Sequence, residues 1–173
     1  MFSNNPILRK ARFSELAAIW EILQQAIEQR KQDGSDQWQD GYPNEQTILD
    51  DINNGYAYVL VNENTILAYA AIIFGTEPVY NEIRGHWLTN GDYAVVHRVA
   101  TSGMEKRKGV ATRLFDLIEN LCIEQNVDSI RVDTKFDNIP MLKILNKLNY
   151  VYCGEVFWRG SSRKAFEKKL ITS

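Results

Sequence analysis

Cysteine is scarce in this chain, and its scarcity argues against two classes of protein. Cys122 and Cys153 are the two cysteines among 173 residues, too few for a disulfide framework and without the spacing of a zinc site. Cys122 falls on the apolar side of a predicted helix and Cys153 in a predicted strand. We therefore expect both to be buried structural thiols, and a cytoplasmic location.

An excess of charge is also lacking, since Lys and Arg number 20, Asp and Glu 22, and the formal net charge is -2. Nucleic-acid-binding proteins usually carry a strong basic excess, so we expect no nucleic-acid partner. Apolar runs are too short for a membrane span, and the start "MFSNNPILRK" lacks the apolar stretch of a signal peptide. We therefore expect no membrane partner.

Histidine is as rare as cysteine, with two residues, His86 and His97. His86 and Asp92 could supply two ligands to a metal, but a zinc site in a protein needs at least three. We predict no metal.

The chain does contain alternating strands and helices, without repeats or linker-like segments. After a strand at "PILRKA" we predict two helices, the hairpin strands "YAYVLV" and "TILAYAAIIF", and a long polar connection. The strand "YAVVHRVAT", a helix, the strand "SIRVDT", a helix over Pro140 to Leu148 and an antiparallel pair follow. This order predicts one domain over residues 1–173, of α/β or α+β class with a mixed sheet.

One stretch, "HRVATSGMEKRKGVATRL" from His97 to Leu114, runs from a strand through a basic loop into a helix. The first N–H groups of a helix lack internal partners and attract anions. Gly109 allows close approach to the backbone. The loop therefore predicts a phosphate site, with a solvated charged turn as the alternative. The basic residues of the loop are Lys106, Arg107 and Lys108.

Two familiar phosphate loops are excluded by the sequence. A Walker loop needs G-x-x-x-x-G-K followed by Ser or Thr, which is absent. A dinucleotide fingerprint needs three spaced glycines early in the first βαβ unit, which this loop does not have.

The loop resembles the acetyl-CoA signature of the GCN5-related N-acetyltransferase (GNAT) family, Gln/Arg-x-x-Gly-x-Gly/Ala, at Lys106 to Ala111, with Lys in place of Gln or Arg. The segment "DNIPMLKILNKLNY" resembles a later family segment, in which Asn138 opens a helix and Leu148-Asn149-Tyr150 forms the turn after it. The resemblance covers essentially the whole chain. It implies a mixed, mostly antiparallel sheet with a central splayed parallel strand pair, flanked by helices.

The resemblance also implies an acetyl-CoA-dependent N-acetyltransferase, which moves an acetyl group to a primary amine by direct attack in a ternary complex. The backbone N–H of Val99 would stabilise the oxyanion. The residues implied to bind the cofactor are Val99, Ala100, Thr101, Lys106, Arg107, Lys108, Gly109, Val110, Ala111, Thr112, Asn138 and Met141.

His97 is the candidate general base, because histidine titrates near ~6.5 and lies close to Val99 along the strand. Some family members carry a strand glutamate at the position of Val95. A hydrogen-bonded core histidine, with deprotonation through water, is the alternative.

The family's usual general-acid tyrosine aligns with Leu145, so this acid is missing. Tyr150 is a substitute candidate, although a thiolate can also leave without an acid because thiols titrate near ~8.5. The missing tyrosine keeps open a catalytically silent acyl-CoA-binding sensor.

In this fold the acceptor contacts the loop between the first two helices and the segment before the central strand. Aromatic and acidic residues there suit a cationic amine. We expect a small-molecule acceptor, with a protein or peptide N-terminal amine as the alternative, and a homodimer. We also expect Arg98 to pair with a buried carboxylate such as Asp133 or Glu155. The candidate acceptor residues are Trp38, Asp40, Tyr42, Glu77, Tyr80 and Glu82.

Overall fold

The computed structural model describes residues 5–103 and 109–171, which form eight strands and four helices. The strands are β1 (Ile7–Lys10), β2 (Ala57–Asn62), β3 (Thr65–Phe74), β4 (Arg84–Gly85), β5 (Ala94–Thr101), β6 (Ser129–Thr134), β7 (Val151–Trp158) and β8 (Ser161–Lys169). The helices are α1 (Leu16–Gln32), α2 (Glu45–Asn53), α3 (Val110–Glu124) and α4 (Ile139–Lys147). Short 3-10 turns occupy Phe13–Glu15 and Pro78–Glu82.

By its internal contacts the chain divides into two units, of which the first comprises Met1–Ile72 and Arg98–Leu117. Its strands β1, β2 and β3 form an antiparallel order, with the predicted hairpin joining β2 to β3. Apolar residues of α1 and α2 pack on these strands. The most deeply buried side chains of this core include Ile19, Leu23, Ile48, Val59 and Tyr69.

Helix α2 begins where its sequence provides a reciprocal cap. The Asn44 side chain accepts a hydrogen bond from the Thr47 backbone N–H at 3.0 Å, and the Thr47 hydroxyl accepts one from the Asn44 N–H at 3.1 Å. Two backbone donors of the first turn are thereby satisfied. The cap fixes the point where the loop before α2 ends.

The second unit comprises Ile73–His97 and Ile118–Ser173. Its strands follow the order β5-β6-β8-β7-β4, with the pairs β6–β8, β8–β7 and β7–β4 antiparallel. Strands β5 and β6 are parallel, which confirms the predicted mixed, mostly antiparallel sheet with a parallel pair. The core of this unit is formed by Tyr80, Tyr93, Val95, Val156 and Ala165.

The connection before β5 differs from the prediction, which gave it no regular structure. It contains the 3-10 turn Pro78–Glu82 and strand β4, which pairs with β7 at Gly85 and Gly154. The backbones approach so closely there that a Cβ on Gly85 would lie 2.0 Å from the Cys153 carbonyl oxygen. Glycine is required at this crossing.

The length and apolarity that a helix needs to cross a membrane are not found together in any helix of residues 5–103 and 109–171.

Candidate active site

The start of α3 forms a set of outward-facing donors in the first unit. The first intrahelical hydrogen bond runs from the Arg113 N–H to the Gly109 carbonyl at 3.0 Å. Helix geometry then leaves the N–H groups of Val110, Ala111 and Thr112 without acceptors inside the helix, where the dipole is positive. Gly109 has a φ of 71°, and a Cβ there would meet open space. This start fits an anionic group such as the pyrophosphate of acetyl-CoA.

The helix start is anchored from behind by buried side chains. Val110 and Leu114 are fully buried, and the Gly103 N–H at the beginning of the loop donates to the Gln25 side chain at 2.8 Å. Three residues predicted to bind the cofactor, Lys106, Arg107 and Lys108, lie outside the described residues.

Strand β5 leaves its parallel neighbour early. The ladder with β6 comprises the pairs Ala94–Ile130 and Val95–Arg131, and β5 runs on to Thr101. Backbone groups of β5 after Val95 can therefore serve a ligand as an added strand would. Among the residues predicted to bind the cofactor, Val99 and Thr101 are half-buried, and Ala100 packs into the first core, so Ala100 offers its backbone only.

His97 lies in the second unit between two carboxylates. Its Nε2 is 3.2 Å from Glu77 Oε2, and its Nδ1 is 4.0 Å from Asp133 Oδ2. The side chains of His97 and Glu77 are each 12% exposed, and that of Asp133 is 3% exposed. An acidic side chain therefore lies beside each ring nitrogen of His97.

Aromatic side chains fix the His97 ring on its other sides. Trp158 stacks on the ring with centroids 5.7 Å apart, and Tyr80 approaches it at 6.3 Å. The Tyr80 hydroxyl donates to Asp133 Oδ2 at 2.6 Å, and the Tyr80 carbonyl accepts from the Trp87 indole at 2.8 Å. Burial, together with the nearby Asp133 charge, raises the pKa of Tyr80 well above its usual value. The phenol therefore stays protonated and serves as a fixed donor.

Sequence analysis missed Asp133 and Trp158 as parts of this cluster. Asp133 lies in β6 and Trp158 at the end of β7, far from His97 in sequence. Asp133 is also 3.6 Å from Arg163 of β8. Only strand order could have indicated that these elements meet.

Arg98 pairs with a buried carboxylate, as predicted, but not with either of the two residues named as examples. Its guanidinium binds Asp51 of α2 through two hydrogen bonds, Nε to Oδ2 at 2.9 Å and Nη2 to Oδ1 at 2.5 Å, rather than Asp133 or Glu155. Burial opposes the Arg98 charge, but the Asp51 contact outweighs it, so the pKa of Arg98 is raised. The predicted type of partner, a buried carboxylate, was nevertheless correct.

The candidate acceptor residues are divided between the units. In the first unit, Trp38 packs on the core, Asp40 is exposed, and the Tyr42 hydroxyl accepts a hydrogen bond from Arg98 at 2.7 Å. In the second unit, Glu77 contacts His97, and Glu82 is exposed.

Tyr80, the sixth candidate, is fully buried. We therefore assign it to the support of Asp133 rather than to direct contact with an acceptor.

The later helix has the predicted start and end. Asn138 caps α4 by accepting from the Met141 N–H at 3.3 Å, and Asn149 takes the left-handed conformation expected after the helix, with a φ of 66°. Leu145 is fully buried, and Tyr150 is 5% exposed with the Lys168 ammonium 5.7 Å from its ring centroid.

Metal and thiol chemistry receive no support from the described residues. No group of three or more potential metal ligands occurs within residues 5–103 and 109–171. Both cysteines are buried, as predicted; burial raises the pKa of Cys122 to about 12 and also raises that of Cys153. These thiols therefore stay protonated at neutral pH.

Comparison with known proteins shows to which family the chain belongs. Residues 17–150 match the family model described as acetyltransferase (GNAT) family. The crystal structure of a GNAT-family acetyltransferase from Streptococcus agalactiae 2603 is 37% identical over 99% of each chain, with a TM-score of 0.89. The chain is thus an acetyltransferase by fold and sequence. It belongs to the GNAT family, whose members transfer an acetyl group from acetyl-CoA to an acceptor.

More distant solved structures share the fold. A putative acetyltransferase from Staphylococcus aureus Mu50 is 24% identical, covering 95% of this chain and 99% of that chain, with a TM-score of 0.72. A putative acetyltransferase from Salmonella typhimurium, solved with its cofactor acetyl-CoA, is 14% identical over 98% of this chain and 96% of that chain, with a TM-score of 0.68. Comparison with the curated proteins gave no match.

Proposed function

We propose that the protein is an N-acetyltransferase that moves the acetyl group of acetyl-CoA to a primary amine of a small-molecule acceptor, by direct attack in a ternary complex. The observation that carries the proposal is the position of His97 between Glu77 and Asp133, two residues before Val99 in β5. A proton acceptor and a candidate oxyanion donor thus lie on one short segment of β5.

Acetyl-CoA supplies an acetyl thioester, whose carbonyl carbon forms a bond to the amine nitrogen as its bond to sulfur breaks. The backbone of Val99 to Thr101 would align the thioester arm. The N–H groups of Val110 to Thr112 would hold the pyrophosphate, and Asn138 and Met141 would bind the cofactor from α4. The Val99 N–H would stabilise negative charge on the carbonyl oxygen.

His97 would take the proton that the amine must lose. In one tautomer of His97, the Nε2–H donates a hydrogen bond to Glu77. The lone pair then lies on Nδ1, which can accept the proton of the amine. Glu77 and Asp133 lie beside the two ring nitrogens, at 3.2 and 4.0 Å. Trp158 and Tyr80 would keep the ring in position for this transfer.

Glu77 also suits a cationic acceptor, because it brings a carboxylate next to the base. Trp38, Asp40 and Tyr42 of the first unit and Glu82 of the second unit stay predicted acceptor contacts, each for its own unit, because aromatic and acidic side chains suit a cationic amine. The departing thiolate would be protonated by water or by Tyr150.

The experiment is a panel of amines mixed with acetyl-CoA and the protein, with CoA release measured over time. The panel contains simple amines, amino acids, aminoglycosides and peptides with free N-termini. Steady turnover on a small amine supports the proposal, whereas turnover on peptides alone would change the acceptor class to an N-terminal amine. No turnover on any amine, despite stabilisation by acetyl-CoA, would contradict it.

The silent acyl-CoA sensor remains a second candidate because of one observation. Leu145 stands where many relatives carry the general-acid tyrosine, and because leucine has no ionisable group, no side-chain acid acts from that point of α4. A sensor would bind acetyl-CoA and raise the melting temperature without releasing CoA.

A homodimer and a cytoplasmic location also stay predictions. Light scattering at micromolar protein concentration tests the first, and localisation of the tagged protein tests the second.

A further inference from the structure

Arg98 adopts a backbone conformation that side chains other than glycine rarely take. Its φ is 53°, within a strand whose other residues are extended enough to be assigned to β5. The left-handed region is disfavoured for any residue with a Cβ, and it persists where surrounding contacts impose it. Arg98 directly precedes Val99, so its backbone angles aim the peptide that carries the Val99 N–H.

The side-chain contacts of Arg98 are buried. The guanidinium makes its two hydrogen bonds to Asp51, and the two side chains are 11% and 5% exposed. The Tyr69 hydroxyl donates to the same carboxylate at 2.5 Å. A two-pronged Arg–carboxylate pair fixes direction as well as distance, which a lysine could not do.

The same guanidinium also reaches the loop before α2. Its Nη1 donates to the Tyr42 hydroxyl at 2.7 Å, while Asp51 belongs to α2 itself. One side chain on β5 therefore contacts both α2 and the loop before it, and all these residues belong to the first unit.

We infer that Arg98 is a positioning residue: the Arg98–Asp51 pair holds residue 98 in the left-handed conformation and thereby aims the Val99 N–H at the thioester carbonyl. This inference rests on the role given to Val99 in the proposed function. It assigns to Asp51, Tyr69 and Tyr42 the task of holding Arg98.

The test compares two double variants that differ by one methyl group, Asp51→Asn with Arg98→Gly and Asp51→Asn with Arg98→Ala. Both lose the ion pair and neither leaves an unpaired buried charge, so the difference between them reports the backbone conformation. Glycine takes the left-handed region freely and alanine does not. We expect the glycine variant to bind acetyl-CoA about tenfold more tightly than the alanine variant by calorimetry. Equal affinities would overturn the inference.

A second readout distinguishes the proposed positioning role of Arg98 from a purely structural role. Both melting temperatures are measured, and affinity is determined where each variant is folded; a purely structural role lowers the melting temperature and leaves the affinity of folded protein unchanged. If the alanine variant does not fold, Arg98→Lys is compared with wild type, and unchanged acetyl-CoA affinity would overturn the inference. Because no acceptor is needed, a failed amine panel affects the proposed function and not this result.

Discussion

At the residue scale, the imidazole of His97 is held by charge, stacking and hydrogen bonds at once. Glu77 contacts one ring nitrogen, Asp133 lies near the other, and Trp158 covers a face. An arrangement of this kind limits the ring to one orientation before any substrate arrives. The reorganisation that proton transfer would otherwise require is thereby reduced.

Replacement of His97 should therefore affect chemistry rather than cofactor binding. We expect His97→Ala to lower kcat about 100-fold or more, the usual effect of losing a general base, with the Kd for acetyl-CoA within about threefold of wild type. Turnover is measured with the best amine of the panel. His86→Ala, at the other and exposed histidine, is the matched control and should keep wild-type turnover. Equal turnover of both variants would remove His97 from the mechanism.

Glu167 gives a prediction on stability and pH. The carboxylate is fully buried and accepts hydrogen bonds from Ser129 Oγ at 2.5 Å, Thr89 Oγ1 at 2.5 Å and Arg131 Nε at 3.2 Å. Burial alone would raise its pKa, but these donors outweigh burial and lower it. Because loss of a buried partner leaves Arg131 uncompensated, we expect Glu167→Gln to lower the free energy of unfolding by about 3 kcal/mol at pH 7.

The sign of the pH dependence follows from the lowered pKa. The Glu167 contribution is complete above the unfolded-state pKa of about 4.3 and is lost as the pH falls through the lower folded-state value. In urea titrations, the difference between wild type and variant should stay constant from about pH 7 to 5 and shrink below about pH 4. A difference that grows on acidification would contradict this account. Exposed Glu124→Gln is the control and should change stability little.

The burial and the type of partner of single residues were partly predictable from the sequence. Burial of both cysteines followed from pattern alone, and so did the need of Arg98 for a buried carboxylate. The identity of that carboxylate did not, because strand alternation gives the face of a side chain but not the helix that covers it. Asp51, on α2, is 47 residues away in sequence.

At the scale of elements, strand β5 and helix α3 contain the backbone groups that we propose bind acetyl-CoA. The β5–β6 ladder ends after two pairs, and α3 begins directly after a left-handed glycine. Together they offer strand-edge groups and helix-end donors in the first unit. Neither set of groups depends on a particular side chain. Substitutions that change the backbone conformation are therefore the informative ones.

Gly109→Ala is such a substitution. A Cβ there meets no atom within 4 Å, so the cost is conformational and amounts to about 1 kcal/mol at a φ of 71°. The helix start would shift to relieve it, and we expect the Kd for acetyl-CoA to rise about fivefold. Calorimetric titration measures it. Gly91→Ala is the matched control, since its Cβ also meets open space without a positive φ. Weaker binding by the control as well would indicate a general effect.

The hairpin β2–β3 was predicted correctly because two apolar runs flank a short polar turn, and helix α3 because its apolar residues recur with the helical period. Strand β4 was not, because a strand of two residues leaves no period, and its pairing is decided by two glycines that meet across β7. The left-handed conformation of Arg98 in β5 also could not be predicted from the alternation of the strand. Alternation presupposes regular backbone, and Arg98 departs from it with a φ of 53°.

At the scale of the whole molecule, the family follows from the complete chain rather than from one motif. The family model spans residues 17–150, across segments of both units, and the Streptococcus agalactiae structure covers 99% of the chain. The predicted GNAT resemblance is thereby confirmed. A single acetyltransferase domain over residues 1–173 stays a prediction, which one cooperative unfolding transition common to calorimetry and fluorescence would support.

The acceptor could not be predicted at this scale, and the reason is physical. The proposed cofactor site consists largely of backbone groups, which leave a signature in glycine position and helix start. The proposed acceptor residues are side chains on loops, where sequence varies most between relatives.

The most direct measurement of the central claim is transfer of a labelled acetyl group. Acetyl-CoA with a ¹³C-labelled acetyl group is incubated with the protein and the amine panel, and both products are quantified by mass spectrometry. We expect one labelled N-acetyl product for each CoA released, with CoA formation dependent on the amine and strongly reduced in His97→Ala. Release of CoA at the same rate without amine, or no labelled product from any amine, would contradict the account.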